Sequence, residues 1–178
     1  VRYIGASSPP AWMFMKALML SDAHGWARFV SMQNHYNLVY REEEREMNPL
    51  CETERVAVIP WSPLARGLLA GTRTKLDDKE STTRAGSDSY TDILYNEPHD
   101  WDVIEATKKV AAQRGVSPAQ VALAWLLSKP ADTAPIVGAT KMTHLEDAIA
   151  AADLQLTADE IKELEVPYKP HAVKGMFS

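Results

Sequence analysis

Residues 56–71 read VAVIPWSPLARGLLAG: a short Val/Ile run that meets a proline, turns through Trp-Ser-Pro, and continues into an apolar stretch closed by glycine. A run of this length, rich in β-branched residues and bounded by Pro and Ser, has the size of a strand rather than a helix. The spacing predicts a strand over 55–61. Working outward, runs of the same kind recur at 1–6 (VRYIGA), 28–32 and 133–138, and helix-type patterns separate them. Strands alternating with helices point to βα units and a parallel sheet.

The helical segments carry their own punctuation. Over 10–24, Trp12, Met15, Met19 and Ala23 keep helical spacing until Gly25 ends it. Residues 41–53 place REEERE on one side and Met47, Leu50 and Cys51 on the other, the pattern of an exposed amphipathic helix with a solvated acidic face. Residues 72–99 form a long polar tract of the length usually kept for ligand lids. Helices follow at 100–114, ended by Gly115, and at 118–128, with Ser117 as N-cap and Pro118 in the first turn. After the strand at 133–138 come helices at 143–152 and, from the capping box of Thr157 and Glu160, up to residue 165. The aperiodic tail, 167–178, is expected to be loosely ordered, so the domain is drawn over 1–166.

The composition narrows the function classes. The chain has 178 residues, 46% hydrophobic and 24% charged, enough apolar material for one core. With 19 basic against 24 acidic residues and no dense Lys/Arg block, nucleic acid is not the expected partner. The longest apolar stretch, 11–20, contains Lys16 and is far short of the roughly 20 residues that span a bilayer, so no membrane span is expected. The single cysteine, Cys51, cannot form an internal disulfide and has no spaced Cys/His partners. It reads as a structural thiol of a reducing, cytoplasmic compartment. No metal site is read from the sequence. The opening VRYIGA reads as a strand already under way, so the sequence is expected to start inside a larger fold.

Four parallel βα units suit an open doubly wound sheet or part of a barrel. The first strand is followed by ASSPPAW, not by a G-x-G-x-x-G phosphate turn, which favours the barrel. A complete barrel needs eight units, so this chain holds half. In such a fold the functional residues sit past the C-terminal ends of the strands: Ser7 and Ser8, Gln33 and Asn34, Trp61 and Ser62, and Gly138, Ala139 and Thr140. Amides, hydroxyls and an aromatic plate suit a planar carboxamide and a heteroaromatic ring better than they suit proton transfer. Each has a bland alternative. Gln33 and Asn34 could satisfy loop backbone, Trp61 alone would more often be core, and His24 and His35 read as a helix-end and a loop residue.

Taken together, VRYIGASS, FVSMQNHYNLVYREEEREMNPLC, VAVIPWSPLARGLLAG and APIVGATKMTHLEDAI, in this order, resemble the second half of an aldo-keto reductase. The Q-N-x-Y-N-L and W-S-P-L-A-x-G-L-L blocks are the specific ones, and the nearest likeness is to the bacterial branch that includes potassium-channel β-subunit-like proteins. The resemblance implies an α/β fold, a half (βα)8 barrel matching strands five to eight, which binds NADP(H). It implies that Ser7, Ser8 and Gln33 hold the nicotinamide carboxamide and that Trp61 stacks on the ring. It places Ser62, Pro63, Leu64, Ala65 and Arg66 along the pyrophosphate, with Thr72 and Arg84 folded over it. Gly138, Thr140, His144, Asp147 and Ala148 fall at the adenosine end, where Lys141 and the amides opening the helix could receive a phosphate. His144, Asp147, Ala148 and Thr72 depart from the commonest residues there, which implies weaker cofactor contacts.

The family's catalytic Asp, Tyr, Lys and His belong to its first four strands, and no segment here matches them. No catalytic residue is therefore assigned, and Tyr36 and Tyr40 lack the paired lysine and aspartate. The expectation is NADP(H) binding with at most weak reduction of small aldehydes or ketones. The alternative is a noncatalytic cofactor-binding or interaction module. Open sheet edges predict a homodimer or other self-association.

Overall fold

The computed structural model describes residues 1–71, 89–95, 97–130 and 133–174. Three strands, β1 (Ile4–Ser7), β2 (Phe29–Gln33) and β3 (Ala57–Val58), form a parallel sheet in the order β1-β2-β3. Ser7 lies opposite Gln33, and Met32 opposite Val58. The predicted fourth strand, 133–138, is not a regular strand. It runs extended beside β3, with the Ala134 and Ile136 amides donating to the Val58 and Pro60 carbonyls at 2.8 and 2.9 Å. Pro60 has no N–H to return to this segment, so the ladder is incomplete, and β3 itself is two residues long. The β1–β2–β3–(133–138) order is that of half a parallel barrel.

Helix α1 (Ala11–His24) follows β1 and ends where Gly25 takes φ 65°, a left-handed turn that glycine makes without strain. Between β2 and β3 the structure departs from expectation. The acidic run is not the face of one helix: Glu42–Glu44 form a single 3-10 turn, and α2 (Met47–Glu54) starts after it. Glu42 is buried, because the chain's C-terminal segment returns over it. Tyr168 Oη and the His171 amide both donate to Glu42 Oε1, at 2.6 and 2.8 Å, and Arg45 pairs with Oε2. The segment 167–174 is thus packed rather than loose, with Lys174 N donating to Tyr40 Oη at 2.9 Å.

A second 3-10 segment (Ala65–Ala70) follows β3, then α3 (Ser89–Leu94), α4 (Asp100–Arg114), α5 (Pro118–Leu127), α6 (Met142–Asp153) and α7 (Ala158–Glu165). The caps read from the sequence are present: Ser117 Oγ accepts from Gln120 N, and Thr157 and Glu160 form a capping box. Two cores result. The larger joins Tyr36, Leu38, Val39 and Tyr40 to Leu68, Leu69, Tyr95, Ile104 and Trp125. The smaller packs Phe14 and Leu18 of α1 and Met47 and Cys51 of α2 against Met32 and Val58 of the sheet. Other apolar side chains stay outside: Trp12, Met13, Met19 and Leu20 on α1, and Met142, Leu145 and Ile149 on α6. Among the described residues no helix is long and apolar enough to cross a membrane.

Candidate functional site

The strand ends line up along one rim. Ser8 N donates to the Gln33 carbonyl at 3.0 Å, and its hydroxyl leans on the same oxygen at 3.4 Å. Trp61 N donates to the Asn34 carbonyl at 2.9 Å, and the Ile136–Pro60 bond brings Gly138 and Thr140 alongside. Ser7, Ser8, Gln33, Trp61, Ser62, Gly138 and Thr140 therefore follow one another along the rim in the predicted order. Thr72 and Arg84 lie outside the described residues.

Backbone strain collects here. Ser8, Ser62, Ala65 and Arg66 all take left-handed φ, between 47° and 55°, a conformation unusual for residues with a Cβ. Such residues cluster where a backbone must be presented to a ligand. Three of them, with Gly67 at φ 99°, fall in the turn after Trp61, so the main chain curls through Ser62–Gly67 instead of entering a helix at once. Pro63 and Ala65 are buried beneath this turn; Leu64 and Arg66 are half-buried.

Trp61 is backed by a stack of rings. The His35 imidazole lies flat against it at a centroid distance of 4.2 Å and 10°, and Tyr40 covers the other face of His35 at 4.2 Å and 12°. Tyr95 Oη accepts from Asn37 Nδ2 at 2.9 Å, so its own proton points to His35 Nε2, 2.6 Å away. Burial, with smaller electrostatic contributions from His171, Lys174 and Arg66, pushes the His35 pKa down to about 3. The imidazole is a neutral wedge that fixes the pitch of Trp61. Asn37 Nδ2 also donates to the Ser62 carbonyl at 2.9 Å, tying the turn to the same network. The sequence reading took His35 for a loop residue and missed this role.

Asn34 is fully buried and points away from the rim, its Nδ2 donating to Glu43 Oε2 at 3.2 Å and Asn48 Oδ1 at 3.1 Å. Burial, with Glu42 adding to it, pushes the Glu43 carboxyl up to about 7 against the pull of Asn34. Tyr36 donates to Glu44 at 2.6 Å, and burial raises its pKa and that of Tyr40, so neither phenol is poised as an acid. At the far end of the rim Lys141 and His144 are exposed, Ala148 is half-buried, and Asp147 accepts from Gln120 Nε2 at 2.6 Å. The N-cap of α6, Lys141, makes no side-chain cap, which leaves that helix start uncovered.

The sequence profile of the aldo/keto reductase family matches residues 1–168. The chain belongs to the aldo/keto reductase family. Aldo-keto reductases similar to it include a Schizosaccharomyces pombe protein named as an aryl-alcohol dehydrogenase, 45% identical over 98% of this chain and 48% of the relative. The versiconal hemiacetal acetate reductase of Aspergillus parasiticus is 43% identical over 97% of this chain and 50% of its own length. Both relatives are fungal. A thermostable aldo-keto reductase solved with the inhibitor epalrestat superposes with a TM-score of 0.69 over 93% of this chain and 48% of that one, at 24% identity, which shows the shared fold. The chain thus spans about half the length of the relatives it matches. Aldo-keto reductases as a family use NADP(H).

Proposed function

We propose that this chain is a cofactor-holding half-barrel that binds NADP(H) along the strand-end rim. The observation that carries this reading is Trp61, half-buried with one face locked against His35 and followed by the left-handed turn through Ser62, Ala65 and Arg66. The residues present fit the group. Trp61 would stack on the nicotinamide, Ser7, Ser8 and Gln33 would hold its carboxamide, and Ser62 to Arg66 would follow the pyrophosphate. At the adenosine end, Gly138 faces open space, and the uncapped start of α6 offers amides to a phosphate beside Lys141. Asp147, already engaged by Gln120, has less freedom to meet a ribose hydroxyl.

When bound, NADP(H) would supply the hydride. This chain's own residues bind and orient it, with His35 and Tyr40 keeping the Trp61 plate from tilting. No tyrosine in the described part of the rim is set to protonate a carbonyl oxygen, since Tyr36 and Tyr40 are both raised in pKa and bonded elsewhere. Any reduction of small aldehydes or ketones would accordingly be weak, with the proton drawn from water or a second subunit. The same observation favours a second reading, a noncatalytic cofactor-binding module, in which NADPH oxidation with an aldehyde panel stays at the protein-free rate.

The exposed apolar rows on α1 and α6, and the edge of β1, which pairs only with β2 among the described residues, suit self-association with a second copy. The test of the site is an NADPH titration followed by tryptophan fluorescence. Saturable quenching is expected, and it is expected to vanish in Trp61→Ala. An absence of quenching at high NADPH would end the cofactor reading.

A further inference from the structure

Away from the rim, three ligand-type side chains meet where the C-terminal segment crosses the start of α4. We propose that His99, Asp100 and His171 form a binding site for a divalent transition-metal ion of the zinc class, and that the ion pins the segment 167–174 to α4. One donor atom from each residue lies within 4.8 Å of the other two. Asp100 is fully buried, the His171 side chain is 1% exposed, and His99 is partly open at 18%.

The donor geometry brackets what an ion needs. Asp100 Oδ1 lies 2.6 Å from His171 Nε2 and 3.9 Å from His99 Nε2. A tetrahedral ion with bonds of about 2.0–2.1 Å separates its ligand atoms by about 3.3 Å, so one gap opens by about 0.7 Å and the other closes by about 0.6 Å. The other carboxylate oxygen, Oδ2, accepts from Glu97 N at 3.2 Å and so turns Oδ1 toward the histidines, the role an outer partner plays around a metal ligand.

One buried nitrogen is left idle by a simple His171–Asp100 hydrogen bond: His99 Nε2 has no hydrogen-bond partner. An ion between the three side chains would take the His99 Nε2 lone pair directly. It would also take His171 Nε2, whose proton then resides on Nδ1 of the neutral ring. Two imidazoles and one carboxylate suit Zn2+ or Co2+, whereas Mg2+ and Ca2+ prefer sets made of oxygen. The buried Glu42 carboxylate, which accepts from His171 N at 2.8 Å, adds negative charge behind the site, although Arg45 pairs with it. Lys174, donating to the Leu94 carbonyl at 3.1 Å, is the cation on the same segment that opposes the ion. Cys51 lies in the other core and takes no part.

The experiment titrates the metal-stripped chain with Zn2+ and, separately, with Co2+. Expected are one ion per chain, a tetrahedral Co2+ absorption band, and a melting temperature that rises with Zn2+ and falls back with chelator. His99→Gln keeps the His171–Asp100 bond and therefore the fold, checked by circular dichroism, but lowers Zn2+ affinity at least about tenfold. His24→Gln, on α1, leaves affinity unchanged. No uptake at submillimolar Zn2+, or uptake equally tight in His99→Gln, would overturn the proposal.

Discussion

Glu43 shows how a single side chain couples this fold to pH. In the unfolded chain it loses its proton near 4.5, and in the folded chain only near 7, because burial disfavours the charge. Between those values the folded form holds the extra proton, so stability falls as pH rises; the penalty is absent below 4.5 and complete above 7. Glu43→Gln, which still accepts from Asn34, is expected to stabilise the protein by about 1–3 kcal/mol at pH 8 and much less at pH 5, read from urea melts at both. Neither Glu43 nor His35 could be understood from its neighbours in sequence. The ring that hydrogen-bonds His35 lies 60 residues on, at Tyr95, and periodicity carries no information over such distances. Trp61 was legible, because an apolar run broken by Pro-Trp-Ser-Pro ends a strand and leaves its aromatic at the rim.

At the scale of elements, punctuation was the readable part. Gly25 and Gly115 end α1 and α4 in left-handed conformation, and Ser117 and Thr157 start α5 and α7, as their residue types dictate. Thr157→Ala removes the acceptor for Glu160 N and is expected to cost about 1 kcal/mol, seen as a lower denaturation midpoint with unchanged slope. The acidic run of residues 41–46 was misread for a physical reason. Its charges look solvated until Tyr168 and His171 arrive from the far end of the chain to satisfy Glu42. The segment 133–138 does run along the sheet as its apolar run implies, yet Pro60 denies it a regular ladder.

For the molecule as a whole, the exposed rows on α1 and α6 are where the proposed self-association is tested. Trp12 is 67% exposed and Met142 68%, large side chains that water disfavours. Sedimentation velocity is expected to show concentration-dependent association, which the double change Trp12→Lys and Met19→Lys on α1 weakens. A wild-type chain that stays monomeric at every concentration would remove the second copy from the proposed function. The half-barrel architecture was visible in the βα alternation and the missing phosphate-turn glycines. The partners of its open faces were not, because an exposed apolar row states only that something apolar is disfavoured in water.

The return of residues 168–174 over Tyr40 and Glu42, contacts that span up to 134 positions, also sets a timetable. During synthesis the ribosome delivers the sheet and the 3-10 turn long before Tyr168 and His171 emerge, so Glu42 waits with its carboxylate in water and the larger core unclosed. Sub-domain collapse around Phe14, Met32 and Cys51 can run early, whereas docking of residues 168–174 is a later, long-range event that carries the larger loop-closure cost. A nascent chain stalled before Tyr168 therefore leaves Glu42 and Tyr40 without the partners that cover them in the folded protein.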